Sequence, residues 1–161
     1  MLKRKKKEKS KEKKLEDLSE KVSELQERDS GENRLTEQIK VSVEGLYFMS
    51  ETDSEILPFF GSKAQSVTKE EILSQTKNSI DAPVEERNFT DFFSRLTEIQ
   101  DWFGDEEKAT AQKFAELKKL LESNLRDLKV FKIGKIQLDV YAVGIDAENN
   151  LLGIQTKAVE T

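Results

Sequence analysis

The residues best suited to chemistry in this chain are carboxylates. Glu51, Asp53 and Glu55 alternate within one polar segment, and Asp101, Asp105, Glu106 and Glu107 flank Trp102, the single tryptophan. Carboxylates grouped in this way are hard oxygen ligands of the kind that hold Mg²⁺ or Ca²⁺. The same residue types also close turns and cap helix N-termini through local hydrogen bonds. Neither segment has the spacing of an EF-hand loop, with its required glycine and following glutamate pattern. The chain contains no histidine and no cysteine. Thiolate and imidazole catalysis, disulfides and Cys/His zinc sites are thereby excluded. The seven glycines are scattered, with no phosphate-cradling loop among them. An enzyme would have to work through carboxylates on a bound metal, and no catalytic signature accompanies them. No cofactor and no metal of its own are expected.

Trp102 admits two readings. An isolated aromatic beside a long helix is more often core, whereas tryptophan is also enriched among interface anchors. Pattern alone favours the core.

The elements that must position these groups are legible in outline. Leu35, Ile39, Val43 and Leu46 fall on one helical face, with Gly45 near its end as a stop. Residues 47–55 begin apolar and end in a dense polar turn. The run Ile56–Gly61 is broken by Pro58, which restricts it to an edge strand. Thr68-Lys69-Glu70-Glu71 reads as a capping box opening a short helix that ends near Thr76. A polar loop around Asp81-Ala82-Pro83 follows, and Phe89, Phe92, Phe93 and Leu96 form core around another short helix. Asp105, Glu106 and Glu107 sit at the positive end of the longest helix. Its apolar face is predicted as Ala111, Phe114, Leu117, Leu121, Leu125 and Leu128. The last third is β, with strands over 129–133, 136–145 and 151–159. An antiparallel meander with helices packed on it places the body in the α+β class.

Charge divides the chain. Its 161 residues carry 27 basic and 32 acidic side chains, a net −5. Nine of the basic and only two of the acidic groups lie in residues 1–14, leaving 18 basic and 30 acidic groups, or −12, beyond them. Residues 1–34 read as a basic, partly helical N-terminal extension. It carries a short stripe of Leu15, Leu18, Val22 and Leu25, followed by a polar linker. Such an extension suits contact with anionic surfaces. The acidic body, residues 35–161, repels polyanions and is expected to bind a basic partner rather than nucleic acid. No apolar run approaches the ~20 residues of a membrane span, and no apolar stretch follows the basic N-terminus as in a signal peptide. A cytoplasmic location is expected.

Five segments, in order and separation, resemble the nuclease A inhibitor family. They are Gly45-Leu46-Tyr47-Phe48-Met49-Ser50-Glu51, Asp91-Phe92-Phe93-Ser94-Arg95, Asp101-Trp102-Phe103-Gly104-Asp105-Glu106-Glu107, Leu138-Asp139-Val140-Tyr141 and the C-terminal Gly153-Ile154-Gln155-Thr156-Lys157-Ala158-Val159-Glu160-Thr161. The likeness spans roughly residues 35–161. It implies an α-β-α sandwich similar to the pathogenesis-related-1 fold. It also implies a non-enzymatic protein that binds a sugar-non-specific, magnesium-dependent nuclease 1:1 and plugs its active site. In such inhibitors a glutamate reaches the catalytic metal of the nuclease, and the motif match puts it at Glu51. The family's Asp-Trp interface pair falls on Asp101 and Trp102, and its terminal threonine contact on Thr161. The resemblance thus moves Trp102 from core to interface. The alternative is a non-inhibitory protein–protein interaction module on the same scaffold, distinguished by whether any nuclease is bound.

Overall fold

A computed structural model describes residues 34–160. The basic extension up to residue 33, with its leucine stripe, and Thr161 lie outside the described residues. The chain is α+β. A helix over 34–43 (α1) leads into a short hairpin, β1 (Tyr47–Met49) and β2 (Asp53–Glu55). There follow β3 (Leu57–Lys63), α2 (Lys69–Gln75), β4 (Val84–Asn88), α3 (Phe89–Thr97), α4 (Asp105–Asn124), β5 (Arg126–Gly134), β6 (Gln137–Ile145) and β7 (Asn150–Val159). The hairpin forms one sheet, and the other five strands form a second in the order β3-β7-β6-β5-β4. Every pairing is antiparallel. Among the described residues no helix is long and apolar enough to cross a membrane.

Strand alternation decides what each sheet face buries. On one face Phe131, Ile133, Tyr141, Val143, Ile145 and Leu151 close over Ile72 and Leu73 of α2. The segment before α2 is held by β5, where the Asp127 carboxylate accepts from the Val67 N–H at 2.8 Å and Lys129 donates to the Val67 carbonyl at 2.9 Å. Both backbone polar groups of the buried Val67 are thereby satisfied. The opposite face presents Val140, Ala142, Ile154 and Thr156 to Phe48, Ile56 and Phe92. On that side Phe92 of α3 stacks on Phe48 of β1, ring centroids 5.6 Å apart, and Phe93 meets Phe92 and Phe89 at 5.7 and 4.7 Å. Helix α4 packs on α3 and buries Ala111, Phe114, Leu117 and Leu121.

Several expectations hold. Gly45 ends α1 with φ +76°, a conformation costly for any residue with a Cβ. β3 is an edge strand, as Pro58 requires. Others are corrected. The long helix stops at Asn124. Leu125 follows as its cap, and Leu128 belongs to β5, so the apolar stripe crosses a helix–strand boundary. The segment Val84–Asn88, between the expected loop at Asp81-Ala82-Pro83 and the Phe89 helix and assigned to no element above, pairs in full register with β5. Thr68 caps α2 by accepting from the Glu71 N–H at 3.1 Å, but the Glu71 carboxylate turns to Gln75 instead of completing a box.

The sheet also carries an alkaline sensitivity. Burial raises the pKa of Tyr141 above its ordinary 10.0, and the Asp139 carboxylate adds to the rise. Lys157 is raised above 10.5 by its hydrogen bond to Asp139, 2.7 Å away, and by that carboxylate's charge. Both groups hold their protons more tightly folded than unfolded. The stability they contribute is complete below their unfolded values and is lost as pH rises through the raised folded ones. Urea midpoints are therefore expected to fall above about pH 10, and Asp139→Asn should flatten that fall.

Candidate functional site

The β1–β2 hairpin ends in a three-residue turn, Ser50-Glu51-Thr52, with Met49 and Asp53 paired at its mouth. The turn is closed locally, where the Ser50 N–H and Ser50 hydroxyl both donate to the Thr52 carbonyl at 3.0 Å. It is also tied to the end of β7. Val159 donates its N–H to Ser50 Oγ at 3.0 Å, and Glu51 donates its N–H to the Val159 carbonyl at 3.4 Å. At the other end of the hairpin, Thr156 Oγ1 donates to the Glu55 carbonyl at 2.9 Å, and Ile56 N–H donates to the Leu46 carbonyl at 3.0 Å. A two-stranded hairpin is marginal alone. Here β7 braces it at both ends, and the exposed Glu51 sits at the apex of a held turn.

The loop between α3 and α4 supplies the second feature. Phe103 donates its N–H to the Gln100 carbonyl at 3.1 Å, which turns the chain just before α4. Gly104 then caps the helix, its N–H donating to the Glu107 carboxylate at 2.9 Å. Trp102 is 73 % exposed and meets Phe103 edge-on at 4.7 Å. Its position contradicts the core placement that pattern alone favoured. The physical reason is local, because the turn places Phe103, half-buried, on the inner side and leaves the indole outside.

Glu51 and Trp102 line one groove of about 1380 Å³. Phe48 and Phe92, stacked, lie along it, Met49 and Tyr47 stand exposed at it, and the end of β7 with Glu160 completes it. Asp101 is exposed beside Trp102 but is not among the lining residues. Of the two acidic segments, Glu51 on one side and Glu106 and Glu107 on the other line this groove. Among the described residues no group of three or more Asp or Glu is arranged to hold a metal ion.

A family model of nuclease A inhibitor-like proteins matches residues 33–161. The chain belongs to the nuclease A inhibitor-like family. No curated protein matches it in sequence.

As a nuclease A inhibitor-like protein, the chain presents site features that sequence reasoning passed over. Lys132 and Glu160 form an ion pair at 2.7 Å within the groove, with the lysine side chain only 12 % exposed. The signal was present in the strand alternation. Lys132 falls on the same face of β5 as the buried Val130, so a cation stands where an apolar side chain was due. Arg87 and Arg95 also line the groove, and Arg87 pairs with Glu85 at 2.8 Å. Glu160 donates its N–H to the Ile136 carbonyl at 2.9 Å, which fixes the last described residue against the start of β6.

Removing the Ser50 hydroxyl tests the brace. Ser50→Ala leaves the Val159 N–H without its acceptor, a loss of about 1–3 kcal/mol when such a group stays away from water. Faster amide exchange at Val159 and across the hairpin, with core strands β5 and β6 protected as before, is the expected pattern. Unchanged exchange at Val159 would show that another acceptor takes over.

Proposed function

We propose that this protein inhibits a magnesium-dependent, sugar-non-specific nuclease by carrying Glu51 into the nuclease active site. The observation that carries the reading is the held turn, with an exposed carboxylate at the apex of a hairpin braced by β7 at both ends. Family membership supports it independently. A nuclease site is built to hold Mg²⁺ and a scissile phosphate, and Mg²⁺ prefers hard oxygen ligands. A carboxylate on a stiff turn is a fair substitute for that phosphate, and holding it in advance lowers the ordering cost of binding.

The remaining groups take supporting roles in this reading. Trp102, with Asp101 beside it, supplies an apolar anchor of the kind that dominates interface energetics. Thr161, which matches the family's threonine contact, meets a basic group of the nuclease through hydrogen bonds. The acidic body steers toward a basic nuclease face and raises the association rate. The scaffold is read as an α-β-α sandwich similar to the pathogenesis-related-1 fold, acting without catalysis of its own.

The test is a titration. A magnesium-dependent, sugar-non-specific nuclease is mixed with increasing protein while DNA degradation is followed. Activity should fall in proportion to added protein and vanish near one equivalent. Full activity at large excess would overturn the reading and favour an interaction module with a different partner.

A further inference from the structure

The groove is larger than the turn and the indole require. At about 1380 Å³ it exceeds the ~300–1,000 Å³ typical of small-molecule pockets. Phe48, Phe92 and Phe103 give it aromatic walls, while Met49 and Trp102, also lining it, stand 70 % and 73 % exposed. Large apolar side chains left in water along a concave surface mark a place where another chain packs. The charge around them is one-sided. Among the lining residues, acids outnumber bases six to three. Two of the bases, Arg87 and Lys132, are already paired with Glu85 and Glu160. Glu98 and Glu106, which flank the tryptophan loop, have neither an ion pair nor a side-chain hydrogen bond among the described residues.

We infer that the groove receives a basic, apolar-bearing peptide segment of the partner protein. Its aliphatic or aromatic side chains would lie against Phe48, Phe92 and Trp102, and its Lys or Arg groups would face Glu98 and Glu106. The mode is that of an amphipathic segment in a hydrophobic groove, with apolar contacts supplying affinity and carboxylates selecting sign. The inference rests on the inhibitor reading in one respect, that the segment belongs to the nuclease whose active site receives Glu51. The groove's own preference is testable without that nuclease.

Trp102, as the only tryptophan, is a built-in reporter of occupancy. The full chain is titrated with a synthetic amphipathic peptide of Lys and Leu, with its Glu/Leu counterpart, and with an all-Lys peptide of the same length. The Lys/Leu peptide should blue-shift Trp102 emission in a saturable way, and the other two should not. The double substitution Glu98→Lys with Glu106→Lys should raise the Kd about tenfold or more, because it sets like charges together. A control with the same charge change, Glu122→Lys with Glu148→Lys, lies near the far ends of α4 and of β7 and should leave the Kd near wild type. No shift with the Lys/Leu peptide, or equal loss in the two double variants, would overturn the inference. A shift that grows with protein concentration and no peptide would place a second copy of the chain in the groove and overturn it as well. Run beside the nuclease titration, the same variants separate the two readings. Wild-type inhibition with no effect of the groove substitutions refutes the groove alone. Peptide binding without inhibition refutes the inhibitor reading alone.

Discussion

Glu51→Ala is expected to weaken nuclease inhibition by about thirtyfold or more, with the melting temperature staying near that of the wild type. A central interface residue commonly contributes upward of ~2 kcal/mol on truncation, and each ~1.4 kcal/mol is a decade in Kd. The stability of the fold should be spared because the side chain is exposed, and the turn is held by Ser50 and by the backbone of Glu51. Glu51→Gln separates the two ways a glutamate could act. It keeps the size and one acceptor oxygen but removes the charge that a metal ligand of this type supplies. Loss of inhibition with both substitutions supports the metal-directed role. Full inhibition by Glu51→Gln would leave Glu51 as a shape contact only. Trp102→Ala should show a loss of similar kind through apolar contact, again with little change in melting, since 73 % of the residue lies in solvent.

Gly153→Ala should be among the most destabilising single substitutions in the body. Gly153 lies in β7, between β3 and β6, paired with Phe59 on one side and Val143 on the other. A Cβ at this position would lie 2.0 Å from the Ala142 carbonyl oxygen and 2.8 Å from Val143 Cα. Those atoms are backbone of the neighbouring strand, so relief requires the sheet to open. Phe59, opposite the glycine, also makes its edge-on contact with Tyr141 at 5.4 Å across this part of the face. The expected cost is several kcal/mol, a large part of the ~5–15 kcal/mol that holds a typical domain folded. Gly144→Ala offers a comparison. Of its three nearest neighbours, Leu128 Cδ2 at 2.8 Å is the end of a flexible side chain and can give. Leu125 Cβ at 2.8 Å and the Arg126 carbonyl at 2.9 Å are fixed by the backbone but stand farther off than the Ala142 carbonyl does from Gly153. Denaturant unfolding of the two variants should therefore rank Gly153→Ala well below Gly144→Ala. Equal midpoints would show that β6 and β7 separate locally at little cost.

What the sequence determined by itself lies where one element carries its own signal. The stripe of Ala111, Phe114, Leu117 and Leu121 repeats at helical spacing, so α4 is readable without its neighbours. The apolar, β-branched runs of β5, β6 and β7 are readable for the same reason, because they sit in the middle of a sheet with both faces covered. Gly45 and Pro58 announce a stop and an edge through their own backbone limits. The motif order that points to the nuclease A inhibitor-like family is likewise a property of the chain read linearly.

Tertiary structure decided the rest. Val84–Asn88 is charged and nearly free of apolar residues, yet it is a strand because β5 offers its edge. No local pattern reports a partner more than forty residues away. Leu125 and Leu128 continue the helical stripe, but the chain beyond Asn124 gains two rows of sheet hydrogen bonds by leaving the helix. The hairpin strands are three residues each, too short to show alternation, and their brace comes from Thr156 and Val159 about a hundred positions away. The groove depends on the same kind of closure. Glu51, Trp102 and Glu160 are each visible in the sequence as acids or an isolated aromatic, but only packing of hairpin, tryptophan loop and β7 end brings them to one surface. Residue type sets what each group can do, and long-range contacts, whose entropy cost no local pattern encodes, set which groups can act together.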